Sequence, residues 1–159
     1  MGRFTRKELE DAFKVYDETV RKAVETKNWD LWANLFTEDA VYIEHAYGEM
    51  RGRDAIRNWI SKVMAPFPTM FFPQDWVAYD EEHDAIVCCV QNVLPHPTDP
   101  AIDFRFPNWT RLVYAGNGQF SMEEDIYNPK KDAPEAIRAW RAAGGQFATK
   151  EQIQMKHKD

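Results

Sequence analysis

The stretch GNGQFSMEEDIYNP, residues 116–129, decides how the rest of the chain is read. It opens on Asn117-Gly118, a pair that tolerates the positive φ angles of a tight hairpin turn. A strand therefore restarts at Gln119 and runs into three successive carboxylates, Glu123, Glu124 and Asp125. Strand side chains alternate between faces, so the three cannot all point the same way. Simple alternation sends Phe120, Met122, Glu124 and Ile126 to one face, expected to be the core face. It sends Ser121, Glu123, Asp125 and Tyr127 to the other. If none of the acids serves a site, all three are solvated edge charges that discourage aggregation.

Working outward, DFRFPNWTRLVY (103–114) is the partner strand of this hairpin. AIVCCVQNVL (85–94) is another strand, set off by the Pro-rich loop PHPTDPA, and one more near 70–79 precedes the turn DEEHD. The N-terminal part has helical spacing instead. Thr5 and Glu8 form a capping box, and Leu9, Phe13, Tyr16, Val20 and Val24 recur on one face to about residue 27. Asn28 caps a short second helix carrying Trp29, Trp32, Leu35 and Phe36. VYIEHA (41–46) alternates as a strand. Asp54 caps a third helix with Ile56, Trp59, Ile60 and Val63 on one face, ended by APFP. A further helix spans 134–143 and stops at Gly144-Gly145. Residues 1–145 read as a single domain and 146–159 as a polar C-terminal tail. Helices gathered ahead of a run of strands predict an α+β fold, with three N-terminal helices packed on one face of an antiparallel sheet. If that sheet is strongly curved, helices and sheet enclose a conical pocket suited to a small molecule.

Composition narrows the classes. A chain of 159 residues suits one domain with a real core. Six Trp and ten Phe imply large apolar surfaces around a core or a pocket. The net charge of −6 with dispersed Lys and Arg argues against nucleic acid as a partner. Cys88 and Cys89 are neighbours in a strand and face apart. They make neither a disulfide nor a zinc site, and read as small buried hydrophobes in a reducing compartment. The N-terminus lacks an apolar signal core and no apolar run reaches membrane length, so a soluble cytoplasmic protein is expected. No His, Cys and acid grouping has metal-ligand spacing and no Gly-rich phosphate loop occurs, so neither metal nor cofactor is expected.

Three motifs carry a resemblance: NWDLWANLFTEDAVY (28–42), RGRDAIRNWI (51–60) and GNGQFSMEEDIYNP (116–129). In this order and spacing the chain resembles the nuclear transport factor 2-like superfamily, and within it the SnoaL-like and ketosteroid isomerase-like branch. The resemblance implies a curved sheet, a conical pocket and frequently a homodimer formed through the outer sheet face. It leaves the reaction open, because one scaffold hosts many chemistries. In SnoaL-like cyclases, limonene epoxide hydrolases and phenazine-biosynthesis proteins, a functional carboxylate sits where Asp125 falls. That conflicts with simple alternation unless the strand changes phase, and a β-bulge between Met122 and Asp125 would do so. Asp125 is therefore preferred over Glu124. Similarity to ketosteroid isomerase places a catalytic base at Glu44. Similarity to limonene epoxide hydrolase places a water-positioning tyrosine at Tyr42.

The chain also departs from those patterns. The oxyanion-hole positions of ketosteroid isomerase fall at Val20 and Thr110, and Tyr16, one turn before Val20, is a substitute or a core aromatic. The further polar positions of limonene epoxide hydrolase fall at Val90, Asn92 and Glu44. Asn92, polar in an apolar strand, needs a partner that a ligand or water supplies. Trp59, Trp76 and Trp109 wall a pocket for a ring-shaped ligand, or serve as core packing. Arg105 and Arg111 share a strand face, and one of them pairs with Asp125 or a substrate carboxylate, or else forms a surface ion pair. His45, His83, His96 and His157 read as surface histidines. The expected function is a cofactor-independent isomerase, cyclase or dehydratase acting on an oxygenated metabolite, cyclic ones included. Asp125 and Glu44 divide proton removal and return, and Tyr42 orients a carbonyl or water. The alternative is a non-catalytic small-molecule-binding protein of the same fold, with assembly through the outer sheet as a third reading.

Overall fold

The computed structural model describes residues 2–148. The polar tail expected at 146–159 therefore lies mostly outside the described residues, as does His157. Of its first residues, Phe147 packs against Phe67 and Trp140, and the Ala148 amide donates to Pro66 O.

Helix α1 (Arg6–Thr26) begins at the expected capping box, with Thr5 and Glu8 satisfying each other's backbone amides. It ends where Lys27 turns left-handed. Leu9, Phe13 and Tyr16 form its buried face. Helix α2 (Asp30–Ala33) is a single turn that buries Trp32. Strand β1 (Phe36–Glu44) turns into β2 (Gly48–Arg51), a four-residue strand that the alternation did not reveal. Helix α3 (Arg53–Met64) follows, with Ile56 and Ile60 inward. Strands β3 (Gln74–Asp80), β4 (Ala85–Pro95), β5 (Asp103–Gly116) and β6 (Gln119–Ile126) form an up-and-down run. Helix α4 (Asp132–Ala142) closes the described fold and packs on β4 and β5. Among the described residues the fold is α+β with a six-stranded sheet and four helices, α4 being additional to the three N-terminal ones.

The strand order is β2-β1-β6-β5-β4-β3. Consecutive hairpins make most neighbours antiparallel, but β1 and β6 pair in parallel, which corrects the purely antiparallel expectation. These strands come from the two ends of the sheet-forming sequence, so no hairpin dictates their relative direction. Pro107 is tolerated inside β5 because the ladder with β6 reaches only as far as Trp109 opposite Ile126.

The core sits between the helices and one sheet face. Phe36 and Phe120 face each other across the β1–β6 pair and are fully buried, with Leu9, Ile56 and Leu112 around them. Trp32 packs edge-on against Phe36 at 4.7 Å. Truncating Phe120 to Ala removes a ring with no solvent exposure and leaves a cavity. The expected cost is about 3–5 kcal/mol, read as a lowered urea midpoint with an unchanged slope. A loss below about 1 kcal/mol would contradict this packing.

Candidate functional site

A phase change in β6 builds the site. Val113 lies opposite Met122 and Tyr114 lies opposite Phe120, so one step on β5 spans two on β6. Ser121 is the extra residue of a β-bulge. The bulge lies between Phe120 and Met122, slightly earlier than the sequence suggested. Phe120 faces inward before it, and Glu123 and Asp125 face inward after it. The simple alternation that put Met122 and Glu124 on the core face is thereby overturned. Glu124 points the other way, where its carboxylate meets His45 Nε2 at 3.0 Å.

A cavity of about 160 Å³ lies between α1, α2, α3 and the inner face of the sheet. Tyr16, Tyr42, Glu44, Trp59, Asn92 and Asp125 all line it. Trp76, Trp109 and Arg105 do not. Trp109 sits between the inward residues Asn108 and Thr110 and so points outward. Trp76 packs edge-on against it at 5.3 Å, and both are exposed. Arg105, next to inward Phe106, likewise points out and pairs with Asp103. Arg111 lies opposite Glu124, and among the described residues no Arg pairs with Asp125. Cys88 lines the cavity while Cys89 lies on the outer face beside Asp75, and both are free thiols. Among the described residues no cluster of His, Cys, Asp and Glu is placed to hold a metal ion.

The inward polar groups form separate sets of hydrogen bonds, one around each carboxylate. The Trp32 indole donates to the Tyr16 hydroxyl at 3.2 Å, and Tyr16 donates to Glu123 Oε1 at 2.8 Å. The Tyr42 hydroxyl donates to Asp125 Oδ2. Asn108 Nδ2 and Thr110 Oγ1 each donate to Asp125 Oδ1 at 2.7 Å. An indole N–H only donates, so it fixes the direction in which Tyr16 passes its proton. Glu44 Oε2 accepts from the Ala46 and Tyr47 amides, both at 2.7 Å, in the turn to β2.

The carboxyl groups meet different environments. Burial pushes Glu123 well above the usual carboxylate range, and the neighbouring Asp125 charge adds to this against the weaker opposing influence of the nearby Tyr16 and Tyr42 hydroxyls, of which Tyr16 is hydrogen-bonded to it. Its Oε2 makes no hydrogen bond of good geometry. Burial also raises Asp125, but Tyr42, Thr110 and Asn108 all favour its charged form. Burial raises Glu44 too, opposed by the Tyr127 hydroxyl and the two turn amides. Sequence reasoning missed Glu123, Asn108 and Tyr127. For Glu123 the available signal was parity, because it shares the face of Asp125 at a spacing of two.

A family model described as a SnoaL-like domain matches residues 16–118. The chain belongs to the SnoaL-like domain family. The match ends ahead of β6, so the fold and not the match places Glu123 and Asp125. Among solved structures, the SnoaL-like chain is similar to a hypothetical protein of ketosteroid isomerase-like fold from Catenulispora acidiphila DSM 44928, in complex with trimethylamine. The identity is 20% over 84% of this chain and 95% of that one, with a TM-score of 0.61. A Mycobacterium tuberculosis protein in complex with estradiol-17beta-hemisuccinate is 10% identical over 74% and 95%, with a TM-score of 0.59. An LEH-like epoxide hydrolase from the same organism is 13% identical over 86% and 94%, with a TM-score of 0.60. Such likenesses show the fold alone. No curated protein matches the chain.

The raised Glu123 has a consequence for stability. Between the ordinary glutamate value near 4.5 and its own higher value, the folded state holds a proton that the unfolded chain has released. Stability therefore falls as pH rises through that window. Glu123→Gln keeps an acceptor for Tyr16 and removes the proton. Urea midpoints measured across this range should fall less steeply in the variant than in the wild type. Equal slopes would show that Glu123 titrates like a surface glutamate.

Proposed function

We propose that this SnoaL-like chain is a cofactor-independent enzyme that isomerises, cyclises or dehydrates an oxygenated metabolite, cyclic ones included, by carboxylate general acid–base chemistry. The observation that carries the reading is the pair Glu123 and Asp125, two residues apart on one strand face, both raised by burial but Glu123 the more strongly because Asp125 has three donors to support its charge. Two acids whose environments push them apart are suited to the two halves of a proton transfer. Asp125, held by three donors, is the base that takes a proton from a carbon beside a carbonyl. As Asp125 takes up that proton, the Tyr42 hydroxyl it held is freed to donate to the carbonyl oxygen, Glu123 gives the proton that returns, and the proton on Asp125 passes to Glu123 before the next turnover. Glu44 faces the same cavity, but its turn amides favour the charged form, so it orients the ligand. Asn92, whose Nδ2 has no partner, and Trp59, whose Nε1 has none, are donors for oxygens of the substrate. The apolar remainder of the cavity, read as a cone under a curved sheet, excludes water.

The outer row of Trp76, Cys89, Trp109 and Ile126 crosses three paired strands and β6, and three of the four are exposed. We assign this face to a homodimer contact, in a protein that works in the cytoplasm. Among the described residues no helix is long and apolar enough to cross a membrane. Fold neighbours in complex with trimethylamine and with a steroid ester support a small-molecule ligand for this scaffold.

A second reading, a binder without turnover, is favoured by one observation. Both Asp125 oxygens already accept bonds from within the protein, which lowers basicity. Heavy water separates the two. The metabolite that co-purifies with the protein, incubated in heavy water, should gain deuterium at carbon when read by mass spectrometry. Asp125→Asn should slow that exchange roughly 100- to 10,000-fold. A ligand released without deuterium would establish the binder instead.

A further inference from the structure

The charge of the cavity wall goes beyond this reading. Among the described residues the lining holds four acids, Asp17, Glu44, Glu123 and Asp125, and no Lys, Arg or His. Asp17 is matched by Arg21 on the surface of α1, while Glu44 meets only hydrogen-bond donors. Glu44 is 3% exposed. A buried carboxylate without a counter-charge is costly, and an incoming cation offsets that cost.

Glu44 also stands in an aromatic corner. The Tyr42 and Trp59 rings lie 4.8 Å apart and the Tyr47 and Trp59 rings 5.9 Å apart, and all three line the cavity with Glu44. Tyr127 lies beside Glu44 from the end of β6. Ring faces attract cations, and clustered rings beside a carboxylate suit an alkylated ammonium better than a hydrated small ion. Asn108 also lines the cavity; its Nδ2 is used by Asp125, while its Oδ1 is an acceptor without a partner in a residue 7% exposed. The hydroxyl of an amino alcohol would satisfy it.

We propose that the ligand of this cavity carries an organic ammonium group, seated among Tyr42, Tyr47 and Trp59 with Glu44 as its counter-ion. The proposal rests on the cavity being the ligand site, and it narrows the metabolite to one bearing a basic or quaternary nitrogen besides its oxygens. An anionic ligand is disfavoured by the same wall. The oxygen of such a ligand would reach the free donors of Trp59 and Asn92.

Choline tests the proposal against its neutral tert-butyl isostere, in which carbon replaces the ammonium nitrogen. Binding of each to the full chain is followed by tryptophan fluorescence, since Trp29, Trp32 and Trp59 line the cavity. Choline should bind about tenfold more tightly than the isostere. Glu44→Gln, similar in shape and able to keep one amide acceptor, should reduce that ratio towards one. Trp59→Leu provides a second variant and should also shrink it. Equal affinities in the wild type, tighter binding of the neutral isostere, or no binding of choline would overturn the proposal. If deuterium exchange at carbon persists while choline shows no preference, the ammonium inference fails and the acid–base reading stands.

Discussion

One extra residue in a ladder, Ser121, governs the interior of this protein. Without the bulge, β6 would turn Met122 and Glu124 inward, and a single carboxylate would face the core. With it, Phe120 still plugs the core beside Phe36, while Glu123 and Asp125 both enter the cavity. A bulge shifts side-chain phase without breaking the strand, so packing before it and chemistry after it coexist on one element. The parallel pairing of β1 with β6 then sets Tyr42 opposite Glu123 and Glu44 opposite Asp125, which gathers the polar groups at one end of the sheet.

Two acids this close inside an apolar wall do not both ionise cheaply. The structure separates them by donors. Asp125 receives an amide, a hydroxyl and a phenol, which together support its charge. Glu123 receives a single phenol and leaves one oxygen without a partner. Trp32, unable to accept, orients that phenol from the far side. The difference between the two acids is thus built by specific neighbours as well as by depth, Glu123 being buried and Asp125 half-buried.

Much of this was legible in the residues. Helical spacing in α1 and α3 located their buried faces, and Asn117-Gly118 located the last hairpin. Asp125, Glu44, Tyr42, Tyr16, Trp59 and Asn92 were all singled out, and all line the cavity. The failures share a cause, which is that strand parity is invisible once a bulge or an outward face is misjudged. Trp76, Trp109 and Arg105 have the chemistry of pocket residues but the wrong parity. Glu123 has the right parity relative to Asp125, but three adjacent acids hid it. Strand β2 is four residues with no alternation to read, and the direction of β6 against β1 depends on contacts far apart in sequence.

The central claim is that burial holds Glu123 towards its protonated form in the cavity, more strongly than it does Asp125 beside it. Infrared difference spectroscopy of wild type against Glu123→Gln in heavy water reads it directly. The account predicts a carbonyl band of a protonated carboxylic acid in the wild type that disappears with the substitution. A wild-type spectrum without that band, or a band untouched by replacing Glu123, would contradict it.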